Sequence, residues 1–151
     1  MKKLIMQAAV IFLVPVIAVA LVALALPRDG VQHRVIDLAS MADMPQFVHE
    51  TNAETQHAYR FAAANHDLVS HFPCYCGCVY MGHTSNKDCY LQDIETDGTL
   101  VFDQHAAGCG ICVEITNDVA RLWGDGSELD AIHEYIVATY SGRGPSTEVA
   151  S

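Results

Sequence analysis

The chain has 151 residues, 18 acidic and 8 basic, and a formal charge of −10, with 51% hydrophobic residues. That length suits a single domain. The acidic balance argues against nucleic acid as a partner, because a surface of that sign repels phosphate.

Residues Leu4 to Leu26 form a run of 23 with no charge, in which Gln7 is the one clearly polar side chain. As a helix this run reaches roughly 35 Å, enough to cross a bilayer core. Lys2 and Lys3 precede it, which keeps the N-terminus in the cytoplasm and sends everything after Arg28 outside. Two readings stand side by side: an uncleaved membrane anchor over residues 1–26, and a secretory signal peptide cut at a small-residue pattern such as Ala18–Ala20 or Ala23–Ala25. The run exceeds the roughly 7–15 residues of a signal core, which favours the anchor. Both place the remainder outside the cytoplasm, tethered to the membrane or secreted. From Pro27 onward the chain carries six basic and all 18 acidic residues, a formal charge of −12 that attracts cations.

Residues 27–43 have little apolar periodicity and read as a spacer. Residues 44–141 form the domain. Its first part is helical in character: Pro45 suits a first turn, Ala58, Phe61 and Ala62 recur at helical spacing, and Asn65 ends that helix. A short helix over Asp67–Phe72 then stops at Pro73. Cys74–Lys87 is a loop punctuated by Gly77 and Gly82, and Asp97–Gly98 is the turn of a short hairpin. Further on, Cys109, Cys112, Ile115, Val119 and Leu122 share one face of a helix ended by Gly124–Gly126. A last helix, capped by Ser127 with Asp130, buries Leu129, Ile132, Ile136 and Tyr140. Residues 142–151 read as a disordered tail. The fold class expected is mainly α: a small helical domain with a cysteine-rich loop and at most a short β-hairpin, behind an N-terminal transmembrane helix or signal peptide.

The chemistry is concentrated in six cysteines. Cys74, Cys76 and Cys78 are crowded into "PCYCGC", Cys109 and Cys112 form "CGIC", and Cys89 lies between them. Disulfides suit the compartment and the even count, but cysteines two apart strain a bridge. Thiolates this dense repel one another, and a bound cation removes the repulsion. With His83 and His105 the chain offers six sulfurs and two imidazoles, enough for two four-coordinate sites or one bridged cluster. Soft donors of this kind select Cu(I) first and Zn(II) as the alternative. The CGIC pair at a helix start also fits thiol–disulfide chemistry, although no βαβ pattern precedes it. Met81 reads as a residue filling a gap in the core, and the remaining histidines as surface groups, with His71 the nearest to the cysteine run.

These residues resemble the bacterial PCYCGC-motif proteins. "PCYCGC", then "GHTSNKDC", then "DQHAAGCGIC" carry the resemblance over about Met44–Tyr140. It implies a secreted or membrane-attached domain, often a lipoprotein, and no settled activity. Val79 departs from the glycine expected after the motif, and no cysteine closely follows the apolar run. The function expected is extracytoplasmic metal binding through Cys74, Cys76, Cys78, Cys89, Cys109, Cys112, His83 and His105. It would serve copper(I) storage, delivery or protection, in exchange with a metal-donor or metal-acceptor protein, and without catalysis. The alternatives are a thiol–disulfide redox protein using CGIC and a disulfide-stapled interaction module.

Overall fold

The computed structural model describes residues 33–147, so the expected membrane segment, residues 1–26, lies outside the described part. Among the described residues no helix is long and apolar enough to cross a membrane. The regular structure comprises α1 (Gln46–His49), α2 (Ala53–Ala64), α3 (His66–Val69), β1 (Leu91–Ile94), β2 (Leu100–Phe102), α4 (Gly110–Gly124) and α5 (Leu129–Tyr140). Short 3-10 turns lie at Met41–Asp43, Cys78–Met81, Asn86–Cys89 and His105–Gly108. The class is therefore mainly helical with one small two-stranded sheet.

Helix α2 starts where the Asn52 side chain accepts the Thr55 N–H at 2.9 Å, which satisfies one of the unpaired amides of the first turn. It ends at Asn65, as the spacing predicts, with the Asn65 amide bonded to the Phe61 carbonyl at 2.9 Å. The buried face of α2, Ala58, Tyr59, Phe61 and Ala62, packs on α4, whose Ile115 and Val119 are fully buried. Helix α5 closes the other side of α4 through Ile132 and Ile136. Each large apolar side chain buried in this way contributes about 1.5–3 kcal/mol. Tyr59 meets Tyr90 edge-on at 4.9 Å, which ties the helical layer to the residues leading into β1. Strands β1 and β2 pair antiparallel, with Ile94 opposite Leu100 and an irregularity between Leu91 and Asp93. The Asp97–Gly98 turn joins them, and Gly98 takes φ 88°, a conformation that L side chains rarely adopt.

Four local expectations are corrected. The last helix is not capped by Ser127: its N-cap is Glu128, which makes no side-chain cap bond. The Ser127 carbonyl instead accepts a 2.6 Å hydrogen bond from Arg34. Helix α3 stops at Val69 and does not run to Phe72, since the chain must leave helical geometry before Pro73. Met81 is 57% exposed and fills no core gap. The spacer is also more than a spacer. From His33 onward it lies on the domain, where the Arg34 amide bonds the Gly124 carbonyl at 2.9 Å and the Ala39 amide bonds the Arg60 carbonyl at 3.0 Å.

Arg34 anchors this segment. Its guanidinium stacks over Trp123 at 4.0 Å and pairs with Glu128 at 2.7 Å. Arg34→Ala removes a stacked cation and a charge-assisted bond together. It is expected to lower unfolding stability by about 1–2 kcal/mol, read from the midpoint of chemical denaturation. An unchanged midpoint would mean that the segment adds nothing to the fold.

The tail is corrected in the same sense as far as Thr147, while residues 148–151 lie outside the described part. Thr147 is 2% exposed. Its amide donates to the Cys74 carbonyl at 3.0 Å, and its hydroxyl accepts the Cys74 amide at 2.9 Å. A clasp of one backbone bond and one side-chain bond carries no periodic sequence signal, which is why the segment reads as disordered from its pattern alone.

Candidate metal centre

After α3 the chain turns over residues 70–72 and runs from Pro73 without regular structure, and the Phe72 carbonyl accepts the Asn86 amide at 2.8 Å. Gly77 and Gly82, at φ 84° and 90°, bracket the 3-10 turn Cys78–Met81 and fold the loop back on itself. The Asp88 carboxylate caps the next turn, accepting from the Thr84 amide at 2.7 Å and the Thr84 hydroxyl at 2.8 Å. The Ser85–Asp88 capping box holds Cys89 at the end of that turn. Asn86 begins this turn, and its side chain reaches away from it to donate to the Thr116 hydroxyl at 2.6 Å. On the other side Asp103 accepts the His105 amide at 2.6 Å, and Tyr90 donates to the Cys112 carbonyl at 2.9 Å.

All six sulfurs are brought together. The Sγ atoms of Cys74 and Cys76 lie 3.4 Å apart, Cys74 and Cys112 3.4 Å, Cys76 and Cys112 3.6 Å, and Cys78 and Cys89 3.6 Å. His105 Nε2 is 3.3 Å from Cys76 Sγ. All six thiols are free, and these spacings are far outside the roughly 2.05 Å of a disulfide bond. They approach the edge of about 3.8 Å that tetrahedral coordination sets for metal–sulfur bonds near 2.3 Å. Among the described residues two groups of four donors form, each with its donor atoms within 4.8 Å of one another: Cys74, Cys76, Cys78 and Cys89, and Cys76, His105, Cys109 and Cys112. His83 stands beside them, with Nδ1 3.6 Å from Cys89 Sγ and its ring 5.3 Å from that of His105, but belongs to neither group. His71 is exposed and also belongs to neither.

Helix α4 positions the CGIC pair unequally. Cys112 is buried on the stripe with Ile115 and Val119, as predicted, whereas Cys109 is the N-cap residue and half-buried. The hydrogen bond from Cys112 is the main influence lowering the Cys74 and Cys76 thiols, and it brings Cys109 down to about 7. The other three are pushed up: Cys78 mainly by Cys74, Cys89 by Cys112, and Cys112 by Cys109. Each of these is raised chiefly by its hydrogen bond to the neighbouring sulfur, whose charge the shared proton stabilises, and sulfurs this close cannot all ionise without a cation among them. Burial pulls the His105 imidazole down, but contact with Cys76 outweighs it and the net shift is upward. The carboxylates of Asp88 and Asp103, beside ligand residues in sequence, are engaged as caps, so the donors of both groups are sulfur and imidazole. A centre of this composition can hold a soft cation and is ill suited to calcium or magnesium.

The sequence reading missed Thr147, whose clasp fixes the Cys74 backbone, and the partners that orient the ligand-bearing turns, Tyr90 and Asp103. The Ser-x-x-Asp spacing at Ser85–Asp88 was the one local signal for the second turn.

Burial predicts the order of thiol reactivity in the reduced, metal-free chain. Cys76 and Cys109 are half-buried with lowered thiols, and the other four are at most 1% exposed. Limiting iodoacetamide should therefore modify Cys76 and Cys109 first, as read by peptide mass mapping. Equal labelling of all six under native conditions would contradict the buried cluster.

No curated protein and no solved structure matches the chain. A family model described as a protein of unknown function with a PCYCGC motif matches residues 30–150, which takes in both donor groups, the N-terminal segment packed through Arg34 and the Thr147 clasp. The chain therefore belongs to the PCYCGC-motif family.

Proposed function

We propose that this protein is a membrane-tethered, extracytoplasmic copper(I)-handling domain that stores, delivers or sequesters the ion without catalysing a reaction. The observation that carries the proposal is the convergence of six free thiols and His105 into two four-donor groups built of sulfur and imidazole. Such donors prefer Cu(I), with Zn(II) as the alternative. Tethering is supported by the uncharged run Leu4–Leu26 behind Lys2 and Lys3. The formal charge of −12 beyond it favours cation capture.

The test is anaerobic purification of the full-length chain in detergent, followed by copper and zinc analysis and a thiol count before and after metal removal. Bound metal that shields the thiols, and that is lost when Cys74, Cys76 and Cys78 become serine, is the expected result. Loading should release protons, because Cys78, Cys89 and Cys112 are the thiols held protonated and a ligand must give its proton up. As pH falls, protons compete for the sulfurs and metal leaves. Metal-free protein with its thiols paired would favour the disulfide-stapled module instead.

One observation favours a second reading, thiol–disulfide exchange. Cys109 sits half-buried at the N-terminus of a 15-residue helix with its thiol lowered to about 7, and Cys112 lies behind it. In that reaction the Cys109 thiolate attacks a substrate disulfide, and Cys112 then displaces the reduced product and closes the protein disulfide. Reduction of a test disulfide that depends on these two cysteines alone would select it.

A further inference from the structure

We infer that the cluster is a two-ion centre with unequal halves: Cys76 bridges a closed all-thiolate position to an open three-thiolate, one-histidine position, and metal enters and leaves only through the open one. This deepens the metal-binding proposal and rests on it. Cys76 is the one residue common to both donor groups. A four-coordinate ion cannot use six sulfurs and a nitrogen at once, so a single ion would leave donors from one group unengaged. Two ions sharing the Cys76 thiolate engage every donor in both groups.

The halves differ in cover. In the closed group Cys74, Cys78 and Cys89 are at most 1% exposed, and the His83 ring lies against Cys89. In the open group His105 and Cys109 are both half-buried, with only Cys112 fully enclosed. Cys109 is flanked by Gly108 and Gly110, at neither of which would an added Cβ meet anything within 4 Å. A surface depression of about 230 Å³ is lined by Cys109 together with Glu54 and Glu114. Glu114 is 3.9 Å from Arg143 across an exposed pair, so the lining keeps at least the Glu54 charge to draw a cation. Exchange here is ligand substitution: an incoming thiolate or imidazole replaces Cys109 or His105 on the ion, with no electron transferred and no bond to carbon broken. The acceptor is thus a soft-donor chelate, the chemistry a metal-carrier protein presents.

Zinc(II) is the probe, because its four-donor requirement is fixed and it does not change oxidation state. The reduced full-length chain in detergent is loaded with Zn(II), its ions are counted by native mass spectrometry, and release to 4-(2-pyridylazo)resorcinol is followed with time. Two ions are expected, leaving in two equal phases separated by roughly tenfold or more in rate. Cys109→Ser and His105→Ala should each abolish the fast phase and keep the slow ion. Both residues are half-buried, and an unchanged circular dichroism spectrum checks that the variants fold. One ion in the wild-type chain, two ions leaving in a single phase, or loss of both ions in Cys109→Ser overturns the unequal pair. Failure to bind zinc while copper still binds overturns only this inference. Failure to bind either metal overturns the proposed function beneath it as well.

Discussion

Cys76→Ser is expected to weaken metal retention more than any other single cysteine substitution. The reason is positional: Cys76 belongs to both four-donor groups, and its sulfur contacts Cys74 at 3.4 Å, Cys112 at 3.6 Å and His105 Nε2 at 3.3 Å. Removing an outer partner of a metal ligand already costs about 10–100-fold in affinity, so losing a direct ligand from both groups should cost at least ~100-fold. Serine keeps nearly the same volume and supplies a hard oxygen whose proton is far harder to remove. Cys76 is also only half-buried, so the fold should survive the change and the loss can be read as loss of binding. Competition against a chelator of known affinity measures it. If Cys76→Ser retained metal as well as Cys109→Ser does, the shared position of Cys76 would be wrong.

Gly144→Ala is expected to damage both stability and metal retention, although residue 144 carries no ligand. A Cβ at this position would stand 2.7 Å from the Tyr75 carbonyl oxygen and 3.7 Å from the Cys76 carbonyl carbon. The first distance is a hard overlap with main chain, which cannot swing aside as a flexible side chain would. Either the segment holding Thr147 lifts off the loop or Tyr75 and Cys76 shift. Overpacking of this kind costs about 1–3 kcal/mol. Lifting the segment would also break the clasp in which Cys74 and Thr147 exchange bonds of 2.9 and 3.0 Å. Gly142 is the internal control, because a Cβ there meets nothing within 4 Å. Thermal melts and metal retention should fall for Gly144→Ala and hold for Gly142→Ala. Matching behaviour of the two variants would show that the C-terminal segment does not support the cysteine loop.

The regular elements were legible because their signals are local. The apolar spacing that runs from Cys112 through Ile115 to Val119 gives the buried face of α4, and Asn65 ends α2 where the chain predicts. The Asp97–Gly98 turn joins two strands that pair as expected. What the sequence did not yield are contacts made by irregular chain. The Arg34–Trp123 stack and the Thr147–Cys74 clasp join residues 89 and 73 positions apart through backbone and single side chains, and no periodicity marks them. Ser127 has the residue type of a helix cap but gives its carbonyl to Arg34, a choice that only the folded neighbourhood determines. The six cysteines and His105 that converge here are among the eight residues that chemistry and spacing single out. Their division into two groups sharing Cys76, with His83 set to one side, depends on the Gly77 and Gly82 turns and was not legible.

X-ray absorption at the metal edge of the loaded, full-length protein tests most directly whether these sulfurs surround a cation. The expected result is a first shell dominated by sulfur with a minor nitrogen contribution, at about 2.3 Å for zinc–sulfur bonds. A shell made of oxygen and nitrogen, with the six thiols still free to react, would contradict the account.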